Sequence, residues 1–263
     1  MLRRSFCAAV VTLAAGCAPV GPQPDPAAVR ELAPTGKLRF GVVEAPQGST
    51  FFVIRGSNGQ PQGVTVDLAD NFGRVLGVPV EFTVAPNSGE LTEALAAGRI
   101  DAAFMPVDAE RMKRLDFGPV YAVGRNTYMV KPGSDIRTMA ELDRPGAQVA
   151  VISGTATSRA AARSLKNAKV FAIPSVDEAL EALRSGKADA FALTHDTLLP
   201  LAPRVPGARI LDGSFNDIRV AIAVQKNRPA GLAFVTKALD EAKTSGLVRR
   251  TFDKFGFNAL EVP

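Results

Sequence analysis

Cysteine and histidine are scarce in this 263-residue chain, and long apolar runs are nearly missing. The two cysteines, Cys7 and Cys17, both lie near the N-terminus, which excludes a disulfide framework and a cysteine-rich zinc site. A single histidine, His195, argues against a multi-histidine metal centre and leaves one His-based catalyst to consider. Apart from residues 5–16, no apolar stretch approaches the ~20 residues that a membrane-spanning helix needs. Charge of one sign is also in short supply. The net +5 falls to +3 when residues 1–17, with Arg3 and Arg4, are set aside, leaving 29 basic against 26 acidic residues. That balance is too mild and too scattered for nucleic-acid binding. With 46% hydrophobic and 22% charged residues the chain is neither disordered nor fibrous. A chain of this length buries roughly 70–75% of its unfolded surface and sustains a core unaided.

The first 17 residues have the layout of an export signal: Arg3 and Arg4, then an uncharged apolar stretch from Ser5 to Gly16. Ala14-Ala15-Gly16-Cys17 resembles a bacterial lipobox, in which the cysteine is lipid-modified and becomes the mature N-terminus. Ordinary signal-peptidase cleavage nearby is the alternative. Residues 18–36 contain Pro19, Pro22, Pro24, Pro26 and Pro34, a composition that predicts an extended tether between membrane and body.

From Lys37 onward, strand-length apolar runs alternate with helical patterns, which predicts an α/β fold on mainly parallel sheets. Leu38 to Val43 reads as a strand, Val66 to Leu76 as a helix stopped by Gly77, and Val78 to Phe82 as the next strand. One unit repeats. Residues 93–102, EALAAGRIDA, recur 88 residues later as EALRSGKADA at 181–190. Asn87…Glu90 and Ser175…Glu178 each fit a capping box upstream. Matching caps, glycine stops and Asp-Ala strand starts predict two similar α/β lobes. Open α/β sheets bind ligands beyond their strand C-termini. The first repeated strand runs into Pro106-Val107-Asp108-Ala109-Glu110-Arg111, and the second into Thr194-His195-Asp196. Val149 to Thr157 reads as a strand, a glycine turn and a helix opened by Thr155. Such a turn either caps the helix or offers free N–H groups to a carboxylate.

The order and wording of these segments resemble the solute-binding proteins of ABC importers, specifically the polar amino-acid-binding family (family 3) of type II periplasmic binding proteins. The segments are Gly36 to Val42, Gly59 to Ala69, Glu110-Arg111 through Leu115 to Tyr121, Gly154 to Thr157, and Asp189 to Asp196. The resemblance spans Lys37 to Phe257 and implies two α/β lobes joined by a two-strand hinge. Lobe 1 is then 37–125 with 215–263, lobe 2 is 126–214, and the crossings fall near Gly124–Met129 and Gly213–Asp217.

By the same resemblance Arg111 clamps a ligand carboxylate, supported by Gly154, Thr155 and Thr157, and Asp196 holds an α-ammonium. Phe51 or Phe52 covers the ligand side chain, and Met105 and Asp108 complete the expected ligand-binding set. Asp108 stands where the family usually has threonine; it can still cap the helix of Arg111, but as an anion it repels a carboxylate. The implied function is an extracytoplasmic lipoprotein, anchored through Cys17, that passes a small carboxylate-bearing solute to an inner-membrane permease. It is expected to be a monomer without metal or cofactor and not an enzyme. Two alternatives remain: a cyclohexadienyl dehydratase-like enzyme using His195, Asp196, Asp108 and Glu110, and a ligand-sensing accessory lipoprotein.

Overall fold

The computed structural model describes residues 25–44, 52–56, 59–258 and 260–263. Cys17, the signal segment and Phe51 lie outside the described residues.

The chain begins with helix α1 (Pro26–Leu32), strand β1 (Leu38–Val43), a hairpin of β2 (Ile54–Arg55) and β3 (Pro61–Gln62), and helix α2 (Val64–Leu76). Then come β4 (Val80–Ala85), α3 (Ser88–Ala96), β5 (Ala102–Pro106), the one-turn α4 (Ala109–Met112) and the long β6 (Leu115–Val130). The middle of the chain forms α5 (Met139–Leu142), β7 (Gln148–Ile152), α6 (Ala156–Ser164), β8 (Lys169–Ile173), α7 (Val176–Arg184) and β9 (Ala190–Thr194). It continues through α8 (His195–Leu201), β10 (Arg209–Ile210) and β11 (Asn216–Gln225), and closes with α9 (Pro229–Thr244) and α10 (Leu247–Lys254).

The strands order as β4-β1-β5-β11-β6-β9-β7-β8, with β10 beside β6. Three parallel strands lie at each end, β4-β1-β5 and β9-β7-β8. β6 and β11 run antiparallel between them. β6 pairs β11 up to Asn126, and from Asn126 onward it pairs β9. Asn126 therefore marks the point where the ribbon passes from one half to the other. Each half has its own apolar packing: Phe40, Phe72, Phe104 and Tyr121 in the first, Phe191, Leu180, Leu198 and Met129 in the second.

The internal repeat is realised atom for atom at its strand starts. Asp101 accepts the Arg39 N–H at 3.0 Å and donates its own N–H to the Arg39 carbonyl at 2.8 Å. Asp189 does the same with Gln148, at 2.8 Å in both directions. Each carboxylate also meets a cation, Arg39 in one half and Lys131 in the other. Asn87 and Ser175 cap their helices as the sequence predicts, and Gly98 and Gly186 end them in the left-handed region at φ 71° and 75°.

The expected tether is corrected at its C-terminal end. Residues 26–32 form α1, with Ala28 and Leu32 fully buried among the residues of the first core. Asp25 accepts the Ala27 N–H, Pro26 opens the helix where its missing N–H costs nothing, and Glu31 accepts the Gly231 N–H at 2.7 Å. Proline content suggested extension, whereas the positions of Pro26 and Pro34 bracket a short helix.

Candidate functional site

Both repeated strands end at one junction between the halves. After β5, Asp108 caps α4 with Oδ1, which accepts the N–H groups of Glu110 and Arg111 at 3.0 and 3.2 Å. That turn sends the Arg111 side chain inward, where it is 2% exposed. Its Nε donates to Thr92 Oγ1 at 2.9 Å, Nη1 to the Pro106 carbonyl at 2.9 Å, and Nη2 to the carbonyl and hydroxyl of Ser88 at 3.0 and 2.9 Å. Ser88 and Thr92 lie one turn apart on α3, so they present to the guanidinium together. Burial pushes the Arg111 pKa down to about 10, against the pull of the Asp108 charge; the Arg159 charge lowers it further. At neutral pH it remains a cation.

The second half contributes the turn between β7 and α6. Gly154 takes φ 69°, a conformation that favours glycine, and Thr155 caps α6 by accepting the Ser158 N–H at 3.1 Å. Thr157 donates to Asn126 Oδ1 at 3.1 Å; both are buried, and Asn126 Nδ2 has no partner. Arg159, one turn beyond Thr155, crosses to the first half. Its Nη2 lies 2.5 Å from Asp108 Oδ2, and its Nη1 donates to the Gly154 carbonyl at 3.1 Å. Asp108 Oδ2 also lies 3.7 Å from Arg111 Nε. Burial drives the Asp108 carboxyl up, but the Arg159 hydrogen bond, the Arg111 N–H and the two guanidinium charges outweigh it. The net displacement is below the usual carboxylate range. Beside this bridge the backbones touch: a Cβ placed on Gly89 would sit 3.0 Å from the Gly154 carbonyl oxygen.

Three cavities surround the junction. A narrow one of about 90 Å³ lies between the halves, walled by Val43, Phe52, Pro106, Ile152, Leu193 and Ile218 and dotted with the hydroxyl residues Ser88, Thr155, Thr157, Thr194 and Thr197. Glu44 is its one ionisable lining residue among the described ones. A wider, open cavity of about 490 Å³ is lined by Arg111, Gly154 and Arg159. A pocket of about 40 Å³ brings Phe52, Asp196 and Leu260 together.

Of the expected ligand residues, Phe52, Thr155 and Thr157 line the narrow cavity, whereas Arg111 and Gly154 line the open one. Asp196 lies in the first turn of α8 with its side chain 42% exposed and lines the smallest of the three cavities, which Arg111 does not line. Met105 does not line these cavities; its side chain is fully buried in the core beneath α3, with Sδ 3.8 Å from Thr92 Oγ1. Alternation along β5 explains this, since Ala103 and Met105 face α3 while Ala102 and Phe104 face the other core. Sequence reasoning missed Ser88, Thr92, Asn126 and Arg159. The i,i+4 spacing of Ser88 with Thr92, and of Thr155 with Arg159, was the available signal.

The sequence matches the bacterial extracellular solute-binding proteins, family 3, over residues 43–258. The chain belongs to that family. The glutamine-binding protein GlnH of an ABC transporter of Bacillus subtilis is 27% identical over 224 residues, covering 83% of this chain and 81% of its own. Among solved structures, a mutant of ArgBP from T. maritima aligns with a TM-score of 0.75 at 28% identity, over 87% of this chain and 98% of that one. An ancestral amino acid-binding protein, described as a precursor of cyclohexadienyl dehydratase, aligns with a TM-score of 0.73 at 28% identity, over 86% and 98%. The family-3 solute-binding protein thus has the two-lobed type II fold that its sequence resembles, with β6 and β11 as the strands common to both lobes.

Proposed function

We propose that this family-3 protein is an extracytoplasmic lipoprotein that captures a small carboxylate-bearing solute, an amino acid or a related compound. The solute is held between lobe 1 (37–125 and 215–263) and lobe 2 (126–214) and delivered to an inner-membrane ABC permease by a monomer without metal or cofactor. One observation carries the reading. A buried cation, Arg111, stands at the C-terminal end of a lobe 1 strand, and the Gly154-Thr155 turn faces it from lobe 2. Two of the four acceptors of Arg111 are hydroxyl groups, Ser88 Oγ and Thr92 Oγ1, which can rotate and yield to a stronger carboxylate acceptor. A solute touching both lobes favours the closed form, because only that form makes both sets of contacts. Phe52 supplies an aromatic wall to the neighbouring narrow cavity, which Thr155 and Thr157 also line.

Calorimetric titration with the common L-amino acids, their decarboxylated amines and their amine-free acids tests this. Binding confined to carboxylate-bearing members, with a fall in the radius of gyration on saturation, is the expected result. Binding of amines and not of acids would remove the carboxylate from the proposal. For the anchor, globomycin should cause unprocessed precursor to accumulate and Cys17→Ser should release the protein; normal processing in both would remove the lipid.

The dehydratase alternative draws on the ancestral structural neighbour. Its acid–base groups are not gathered here. His195 and Asp196 are partly exposed, Asp108 is paired with Arg159, and Glu110 is exposed and paired with Lys113 at 2.7 Å. Incubation with prephenate or arogenate, followed for aromatic product, decides between binding protein and enzyme.

A further inference from the structure

We propose that Arg159 is a specificity-determining residue of the cleft: it compensates Asp108 from the opposite lobe and so keeps the Arg111 charge available to an anionic solute. This rests on the solute-binding reading above and adds a residue outside the expected ligand-binding set.

The difficulty that Arg159 resolves is electrostatic. Asp108 holds a carboxylate oxygen 3.7 Å from Arg111 Nε, in a place only 11% exposed. Alone, that oxygen would serve Arg111 as an internal counter-ion and repel a second carboxylate, and partial burial would weaken the screening that softens such repulsion at a surface. Arg159 changes the balance. Its Nη2 lies 2.5 Å from the same oxygen, and its own side chain is 27% exposed. Two guanidinium groups then share one carboxylate, and the trio keeps one positive charge. Of the three glutamates lining the same cavity, Glu93 is paired with Arg114 and Glu110 with Lys113, while Glu90 is met by the Asn87 amide and keeps its charge outside the trio.

Two further observations tie Arg159 to the cleft and not merely to the surface. Nη1 is fixed on the Gly154 carbonyl, so the guanidinium moves with the turn that faces Arg111. Nε is buried without a hydrogen-bond partner, so the side chain is held in place through its two Nη groups alone. Compensation also depends on closure. Asp108 and Arg159 belong to different lobes, and they meet where Gly89 and Gly154 are in backbone contact. The site is prepared for an anion only as the lobes come together.

The test is calorimetry with L-glutamine and L-arginine as probes on wild type, Arg159→Ala, Asp108→Thr and the double variant; Arg159→Gln replaces Arg159→Ala should the latter fail to fold. Arg159→Ala should weaken binding by about tenfold or more, the scale of close interfacial charge pairs. In the Asp108→Thr background the same change should cost no more than about twofold, because there is nothing left to compensate. Wild-type affinity in Arg159→Ala, or an equal loss in both backgrounds, overturns the proposal. If neither probe binds wild type, these two amino acids are excluded as solutes, and scattering from ligand-free protein decides. Arg159→Ala should then show a larger radius of gyration than wild type; identical radii overturn the cross-lobe bond.

Discussion

Arg111→Met separates the structural work of the arginine from its role toward solute. Methionine keeps an unbranched stem of comparable length, so the space is largely refilled and the loss is polar. Four hydrogen bonds disappear, to Thr92, Pro106 and twice to Ser88. Bonds from a charged donor contribute about 1.5–3 kcal/mol each, so at the low end the set amounts to about 6 kcal/mol. Set against this is the cost of burying the charge. A pKa near 10, against an ordinary 12.5, corresponds to about 3 kcal/mol that methionine no longer bears. The remaining groups also recover in part. The Ser88 carbonyl keeps the Thr92 hydroxyl at 2.8 Å, and Asp108 keeps Arg159. A net destabilisation of about 3 kcal/mol follows, at the lower edge of what breaking a buried ionic cluster costs. Urea unfolding of ligand-free protein measures it by linear extrapolation. A methionine variant within about 1 kcal/mol of wild type would refute the reasoning, because the guanidinium would then be free of this network in solution.

Other perturbations follow from the same geometry. Gly89→Ala places a methyl 3.0 Å from the Gly154 carbonyl, so the lobes should stop short of full closure; weaker solute binding and a larger radius of gyration in the bound state are expected, and unchanged scattering would count against the contact. Asp101→Asn should destabilise by about 2 kcal/mol, because the buried carboxylate accepts three N–H groups of Arg39, whereas Asp189→Asn, with a more exposed partner in Lys131, should cost about 1 kcal/mol; thermal melts that rank them the other way reject the comparison. The Asp108 carboxyl titrates below its ordinary value, so its contribution to stability is present at neutral pH and is lost as pH falls from about 4 through its own lower value. Asp108→Asn should therefore flatten the acid limb of the stability profile, and an unaltered limb would mean that the bridge to Arg159 carries no weight.

Much of the fold is legible because the repeat carries its own punctuation. Asn87 and Ser175, Gly98 and Gly186, and Asp101 and Asp189 each act through a backbone group next to them in sequence or on the adjacent strand. Local rules suffice there. The helix cap of Asp108 is legible for the same reason. Arg159 is not, since its partner lies 51 positions away on another lobe, and only the tertiary meeting of α4 with α6 pairs them. Met105 and Arg111 show the opposite difficulty. The sequence pattern brings both to the end of one strand, but which way each side chain points depends on strand alternation and on the first turn of α4. The helix at 26–32 was hidden by composition: Pro26 opens it and Pro34 follows it, and counting prolines conceals where they fall.

The helix α1 also decides which lobe carries the load of any anchor. It is locked onto α9 in the core of the first half, through Leu32 and the bond from Gly231 to Glu31. Seven residues separate Cys17 from Asp25, a leash that reaches about 25 Å at full stretch. A lipid on Cys17 would therefore moor lobe 1 close to the bilayer and leave the other lobe as the swinging jaw. Orientation toward a membrane partner would be set by the moored half, and the state of the cleft would be reported by the half that moves.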